Sequence, residues 1–235
     1  MAENVKTENN LDELFKVGAH FGFSKSRRHP SMTPYIFGSK NRVDIIDLEK
    51  TQKFLEKALD FIGSLATSNS QILFVGGKNE AQKVIEEEAQ KISMPYLASR
   101  WIGGTLTNFS EIRKRINLML DLSSQKEKGE LGKYTKKERL LIDRKIKKLQ
   151  KMFNGIKDMT ALPKALFIVD PRFEDIALKE ARTIKIPIVA LCGSDNNIKD
   201  IDYPIPANDA NSASIRFFVD KIVEVYNKNK VVKKE

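Results

Sequence analysis

Apolar positions in this chain follow two alternating periods. Leu48, Phe54, Leu55, Ala58, Leu59, Ile62 and Leu65 fall at helical spacing and predict a helix over 48–66. The unbroken run Ile72-Leu73-Phe74-Val75 reads as a strand buried on both faces, closed by Gly76-Gly77 and followed by a helix over 80–92. The same grammar returns later, with strands at Ala165–Val169 and Ile188–Leu191 and helices over 174–184 and 215–226. Strand and helix in alternation predict an α/β fold, a doubly wound and mostly parallel sheet covered on both faces. Ahead of it lie a short amphipathic segment (Leu11, Leu14, Phe15) and two short strands, Tyr35–Gly38 and Val43–Ile46, around the turn Lys40-Asn41-Arg42.

One stretch breaks the alternation. Residues 108–124 and 136–153 are both helical in pattern with no strand between them. Their apolar stripes, Ile112, Ile116, Met119, Leu120 and Ile142, Ile146, Leu149, Phe153, are narrow enough for a coiled-coil seam. Gly129 and Gly132 lie in the connector, and Thr135-Lys136-Lys137-Glu138 is a capping box for the second helix. The expected organisation is an α/β domain from residues 1–107 and 155–227, a basic bend at 14–43 within it, an inserted antiparallel helical hairpin at 108–154, and a basic tail at 228–235.

Charge sharpens that outline. The 235 residues carry a net charge of +10, which favours a polyanion as partner. Residues 111–157 hold fifteen Lys/Arg against six Asp/Glu, whereas 158–227 hold eight against eleven, so the positive charge is localised on the hairpin. Between Glu13 and Asp44 there is no acid at all, while Lys16, Lys25, Arg27, Arg28, Lys40 and Arg42 alternate with Phe15, Phe21, Phe23, Tyr35 and Phe37. Cations that release counterions, beside rings that stack on bases, suit RNA. No apolar run approaches the length of a membrane span, and the lone Cys192 cannot form an internal disulfide, so a reducing, cytoplasmic setting is expected. Two histidines and one cysteine make a zinc site a poor expectation.

Motifs for catalysis are weak. Gly76-Gly77-Lys78 follows a strand and precedes a helix, where backbone N–H groups cradle phosphates, but its spacing fits neither the P-loop nor the dinucleotide pattern. A tight turn at a strand end, which any parallel sheet needs, is the better explanation, with Lys78 still placed to meet an RNA phosphate. Asp170 sits at a strand's C-terminal end without an evident acid or histidine partner, and Asp195, Asp200 and Asp202 match no metal loop. His20 and His29 flank the bend with no nucleophile motif to serve. Arg100-Trp101-Ile102-Gly103-Gly104-Thr105-Leu106-Thr107-Asn108 joins sheet to hairpin; Trp101 reads either as a packing anchor or as a stacking platform, and Arg100 as holding a carboxylate or a phosphate. No catalytic residue, metal or cofactor is expected. A nucleotide-dependent enzyme and a protein scaffold on the basic hairpin remain the competing classes.

These motifs, in this order, resemble a known family. Gly18-Ala19-His20-Phe21-Gly22, Pro34-Tyr35-Ile36-Phe37-Gly38, Asn41-Arg42 and Ile45-Ile46-Asp47-Leu48-Glu49-Lys50-Thr51 are similar to segments of protein S-two of the bacterial small ribosomal subunit. So are the 100–108 segment, Gly155-Ile156-Lys157-Asp158-Met159, Leu162-Pro163, Lys179-Glu180-Ala181 and Asn208-Asp209. The resemblance implies a flavodoxin-like domain with a coiled-coil hairpin, bound to small-subunit ribosomal RNA and neighbouring ribosomal proteins, and it extends to recruitment of protein S-one. It implies no membrane and no small-molecule substrate. The sequence departs from the family at Phe23, Arg28-His29 and Cys192–Asn196, and no role is carried over to those positions. Candidate RNA contacts are Lys25, Arg27, Arg28, His29, Lys40, Arg42, Lys78, Arg100, Trp101, Arg113 and Lys114. Charge reversal at Arg27 and Arg28 is expected to weaken assembly while leaving the fold intact.

Overall fold

The computed structural model describes residues 11–230. A helix over residues 11–16 (α1) leads into a small antiparallel sheet of β1 (Phe21–Ser24), β2 (Ile36–Lys40) and β3 (Val43–Ile46), ordered β1-β3-β2. The β2–β3 turn is two residues, Asn41 and Arg42, both at positive φ (51° and 65°). That geometry matches the twist of a tight hairpin and puts Lys40 and Arg42 at its tip.

The main sheet is entirely parallel. Its strands are β4 (Ile72–Val75), β5 (Tyr96–Leu97), β6 (Ala165–Val169), β7 (Ile188–Cys192) and β8 (Tyr203–Pro206), in the order β5-β4-β6-β7-β8. Counted within this sheet alone the order is 2-1-3-4-5, the flavodoxin-like winding, with its switch point between β4 and β6. The unbroken apolar runs have a direct cause in burial on both faces. Ile72, Phe74, Phe167, Val169, Val189 and Leu191 pack with helices α2 (Leu48–Thr67), α3 (Asn79–Lys91) and α7 (Ser212–Asn229). Leu73, Val75, Leu166, Ile168, Ile188 and Ala190 face the other way, toward α6 (Asp175–Thr183), Trp101 and the base of the inserted helices.

Those helices are α4 (Phe109–Glu127) and α5 (Lys136–Phe153). Arg113 at the base reaches the carbonyls of Lys157 and Met159, and Lys126 near the tip pairs with Asp143, so the two run antiparallel. Thr135 and Glu138 form the expected capping box. Where the chain returns to the sheet, a Cβ at Gly155 would collide with the Tyr96 carbonyl oxygen, which requires glycine there. The basic tail expected at 228–235 extends beyond residue 230 and there lies outside the described residues.

Three strands escaped the sequence pattern. β5 is two residues long, β8 carries Pro204 and Pro206, and β1 includes Gly22. Prolines cannot donate to a ladder, and β8 tolerates them because it lies at the sheet's edge.

Candidate nucleic-acid interface

The N-terminal bend is fastened to the sheet by its own cations. Arg28 grips the fully buried Asp44 through two nitrogens, Nε at 2.6 Å from Oδ2, and Ser39 Oγ donates to the same carboxylate at 2.8 Å. The Arg28 hydrogen bond, reinforced by Ser39, holds the Asp44 carboxyl below its usual range against the cost of burial. Arg27 and Arg172 both meet Asp195 Oδ2, at 2.9 and 2.8 Å. Phe23 N–H donates to Ser194 Oγ and His29 N–H to the Ser194 carbonyl, so the Cys192–Asn196 loop docks the bend. His29 Nδ1 faces Ser31 Oγ at 2.8 Å as a local cap.

Arg28 is therefore a structural cation, and reversing it cannot leave the fold intact. Arg28→Ala strands the Asp44 carboxylate with only Ser39, at an expected cost of about 2 kcal/mol. Urea unfolding read by circular dichroism checks this; a variant with unchanged midpoint contradicts it. The side chains of Lys25, Lys40 and Arg42, by contrast, are exposed and free of ion pairs among the described residues.

At the switch point, where doubly wound folds take ligands, the chain supplies its own hydrogen-bond acceptor. Glu174 Oε1 accepts the Gly77 N–H at 2.8 Å, so that backbone donor is already satisfied within the chain. Lys78 is held 3.1 Å from Asp170 and 3.8 Å from Asp209. Asp170 itself adopts φ +58°, turning back so that its Oδ1 caps the Phe173 N–H.

Burial pushes Glu174 up to about 7, against the Gly77 hydrogen bond, with Asp170 adding to the rise; burial and Asp170 likewise raise Asp209 to about 7. Both bind a proton more tightly folded than unfolded. Their contribution to stability is complete below about pH 4 and is lost as pH rises through about 7. Glu174→Gln, which keeps an acceptor for Gly77 and cannot ionise, should flatten that part of the pH–stability curve and hold the protein at least as stable at pH 8. Thermal melts between pH 4 and 8 measure it; an unaltered slope refutes it.

The junction settles Trp101 as a packing anchor. The residue is 4% exposed, and its indole N–H donates to Glu180 Oε1 at 3.1 Å. The same carboxylate accepts from the backbone N–H groups of Gly104, Leu106 and Thr107 and from Thr107 Oγ1. Burial pushes the Glu180 pKa up, but these donors together outweigh it and hold the group below its usual range. Trp101 is thus no surface platform for bases, whereas Arg100 beside it is exposed and unpaired among the described residues.

On the hairpin, Arg113 caps backbone carbonyls and Lys114 pairs with Glu111 at 2.6 Å. Sequence reasoning singled out these two but no residue on α5. There Ile146, Leu149 and Phe153 point inward, which leaves Lys137, Arg144, Lys148 and Lys151 on the opposite stripe, all exposed and unpaired among the described residues. The i, i+4, i+7 spacing of 144, 148 and 151 carried that signal.

A doubly wound sheet whose Gly77 turn is held by its own Glu174 and matches no nucleotide motif, bearing a helical arm with a free basic stripe, fits a polyanion-binding structural protein better than a nucleotide-dependent enzyme. Comparison with known proteins narrows the class. A family model described as ribosomal protein S2 matches residues 14–228. The chain is 45% identical to small ribosomal subunit protein uS2 of Roseiflexus castenholzii, covering 95% of this chain and 85% of that protein. It is 40% identical to the uS2 of Dehalococcoides mccartyi over 96% and 94%, and 42% identical to that of Marinobacter nauticus over 92% and 86%. The chain belongs to the ribosomal protein S2 family, and its part in translation is structural, not enzymatic.

Proposed function

We propose that this chain, as a constituent of the cytoplasmic small ribosomal subunit, holds small-subunit ribosomal RNA through cations its own fold leaves unpaired. The observation that carries the reading is the split among its basic residues. Arg27, Arg28, Lys78, Arg113 and Lys114 satisfy internal partners. The stripe on α5, Arg100, Lys25 after β1, and Lys40 and Arg42 at the β2–β3 turn face solvent with none among the described residues. The second set is the phosphate-binding one, and its contacts position the protein, with specificity left to RNA shape. The other partners in this reading are neighbouring small-subunit proteins, protein S-one among them where a bacterium has it.

Phosphate-dominated binding has a clear signature. The purified chain should co-sediment with small subunits at low salt and leave as salt rises, because each neutralised phosphate steepens the fall of log affinity with log salt by about 0.7 to 0.9. Retention that is indifferent to salt would favour a protein-bound scaffold instead.

A further inference from the structure

At the switch point lies an open groove of about 940 Å³, bounded by the loops that leave β4, β5 and β6 at their C-terminal ends and by the end of α5. Its floor includes Gly77 and Ile102, and its wall carries Phe173 and Ile176, which are 58% and 48% exposed. These large apolar side chains, on the loop and helix start after β6, belong to neither hydrophobic cluster and leave about half their surface to solvent. Two cations stand on the rim, Arg100 and Lys151, neither with a partner among the described residues. Lys151 is also the last member of the basic stripe on α5, so the stripe runs directly into the groove. The amide side chains of Asn79 and Gln82 complete the lining.

We propose that this groove receives an unpaired base of ribosomal RNA, stacked on Phe173, with the flanking phosphates on Arg100 and Lys151. The inference rests on the RNA-binding reading above and adds to its phosphate contacts a site for a base of any identity. Three independent features converge on it. The groove sits at the switch point, where this winding places ligands. Its apolar surface is ringed by cations and amides, with the one acid of the lining, Glu174, already holding the Gly77 N–H. It lies at the end of the basic stripe on α5, so a strand tracking that stripe delivers a nucleotide to it. Because the Gly77 N–H is already held by Glu174, a free mononucleotide lacks the anchor that a strand supplies through its neighbouring phosphates.

The test uses the full chain with small-subunit ribosomal RNA in filter binding across a salt series, on the wild type, Phe173→Ala and Arg100→Gln. Both side chains are exposed, so neither change should alter the melting temperature. Loss of stacking should weaken binding about tenfold without changing the salt slope. Loss of the Arg100 contact should lower the slope by about 0.7 to 0.9. Wild-type affinity and slope in both variants would overturn the groove while leaving the general RNA reading standing, which fails only if the wild type itself does not bind. Two other results also overturn the proposal. Micromolar binding of UMP or AMP by the wild type makes the groove a small-molecule site. A Phe173→Ala defect seen in assembled subunits but not on naked RNA assigns it to a protein neighbour.

Discussion

Glu180→Ala is expected to destabilise the protein by about 4 kcal/mol and to lower its melting temperature by roughly 10 °C. Three backbone N–H groups and the Trp101 indole N–H converge on this one carboxylate, which is itself 8% exposed. Alanine leaves those donors with water at best, and the turn through Gly103–Thr107 that sets the course of α4 loses its organising centre. Glutamine is no rescue, because its amide adds two donors to a site built only of donors. Trp101 is the sole tryptophan, so its emission reports the site directly. A red shift accompanying the lowered melting temperature is the expected result; an unshifted spectrum with wild-type melting would show that the turn is held by other contacts. Glu180 also acts on pH in the opposite sense to Glu174. Its pKa is depressed on folding, so its contribution is present above the unfolded carboxylate range and is lost as pH falls through the folded value.

The sheet was legible wherever strands are buried on both faces, because only there does the chain become continuously apolar. β4 and β6 emerge from the sequence with the bounds the structure gives them. β5 and β8 carry too few residues or too many prolines to make such a run, and the sheet order that brings them in depends on tertiary pairing. The amphipathic helices were equally plain, since each has one face to bury.

The site was less legible, for an electrostatic reason. A cation in a sequence looks the same whether it meets RNA or a carboxylate from elsewhere in the fold. Arg27 finds Asp195, Lys78 finds Asp170, and Trp101 finds Glu180, each across roughly 80 to 170 residues that no local spacing encodes. The acid-free window from Leu14 to Val43 thus misled in part. Two of its six cations bind acids supplied by the rest of the fold, and Lys25, Lys40 and Arg42 remain outward.

That division locates the largest functional effect on the hairpin. Reversing Arg144, Lys148 and Lys151 together to glutamate should weaken binding of small-subunit ribosomal RNA by about a hundredfold near physiological salt and lower the salt slope by roughly 2 to 3. The three side chains lie on the face of α5 opposite Ile146, Leu149 and Phe153, so helicity and melting temperature should change little. A matched reversal of Lys114, which is already paired with Glu111, serves as the contrast and should shift the slope far less. Filter binding across a salt series measures both, and sedimentation with small subunits measures the consequence for assembly. Equal effects from the two variants would mean that hairpin charge acts only as a diffuse field. A loss confined to the α5 stripe would mean instead that the fold selects its RNA contacts by leaving particular cations without internal partners.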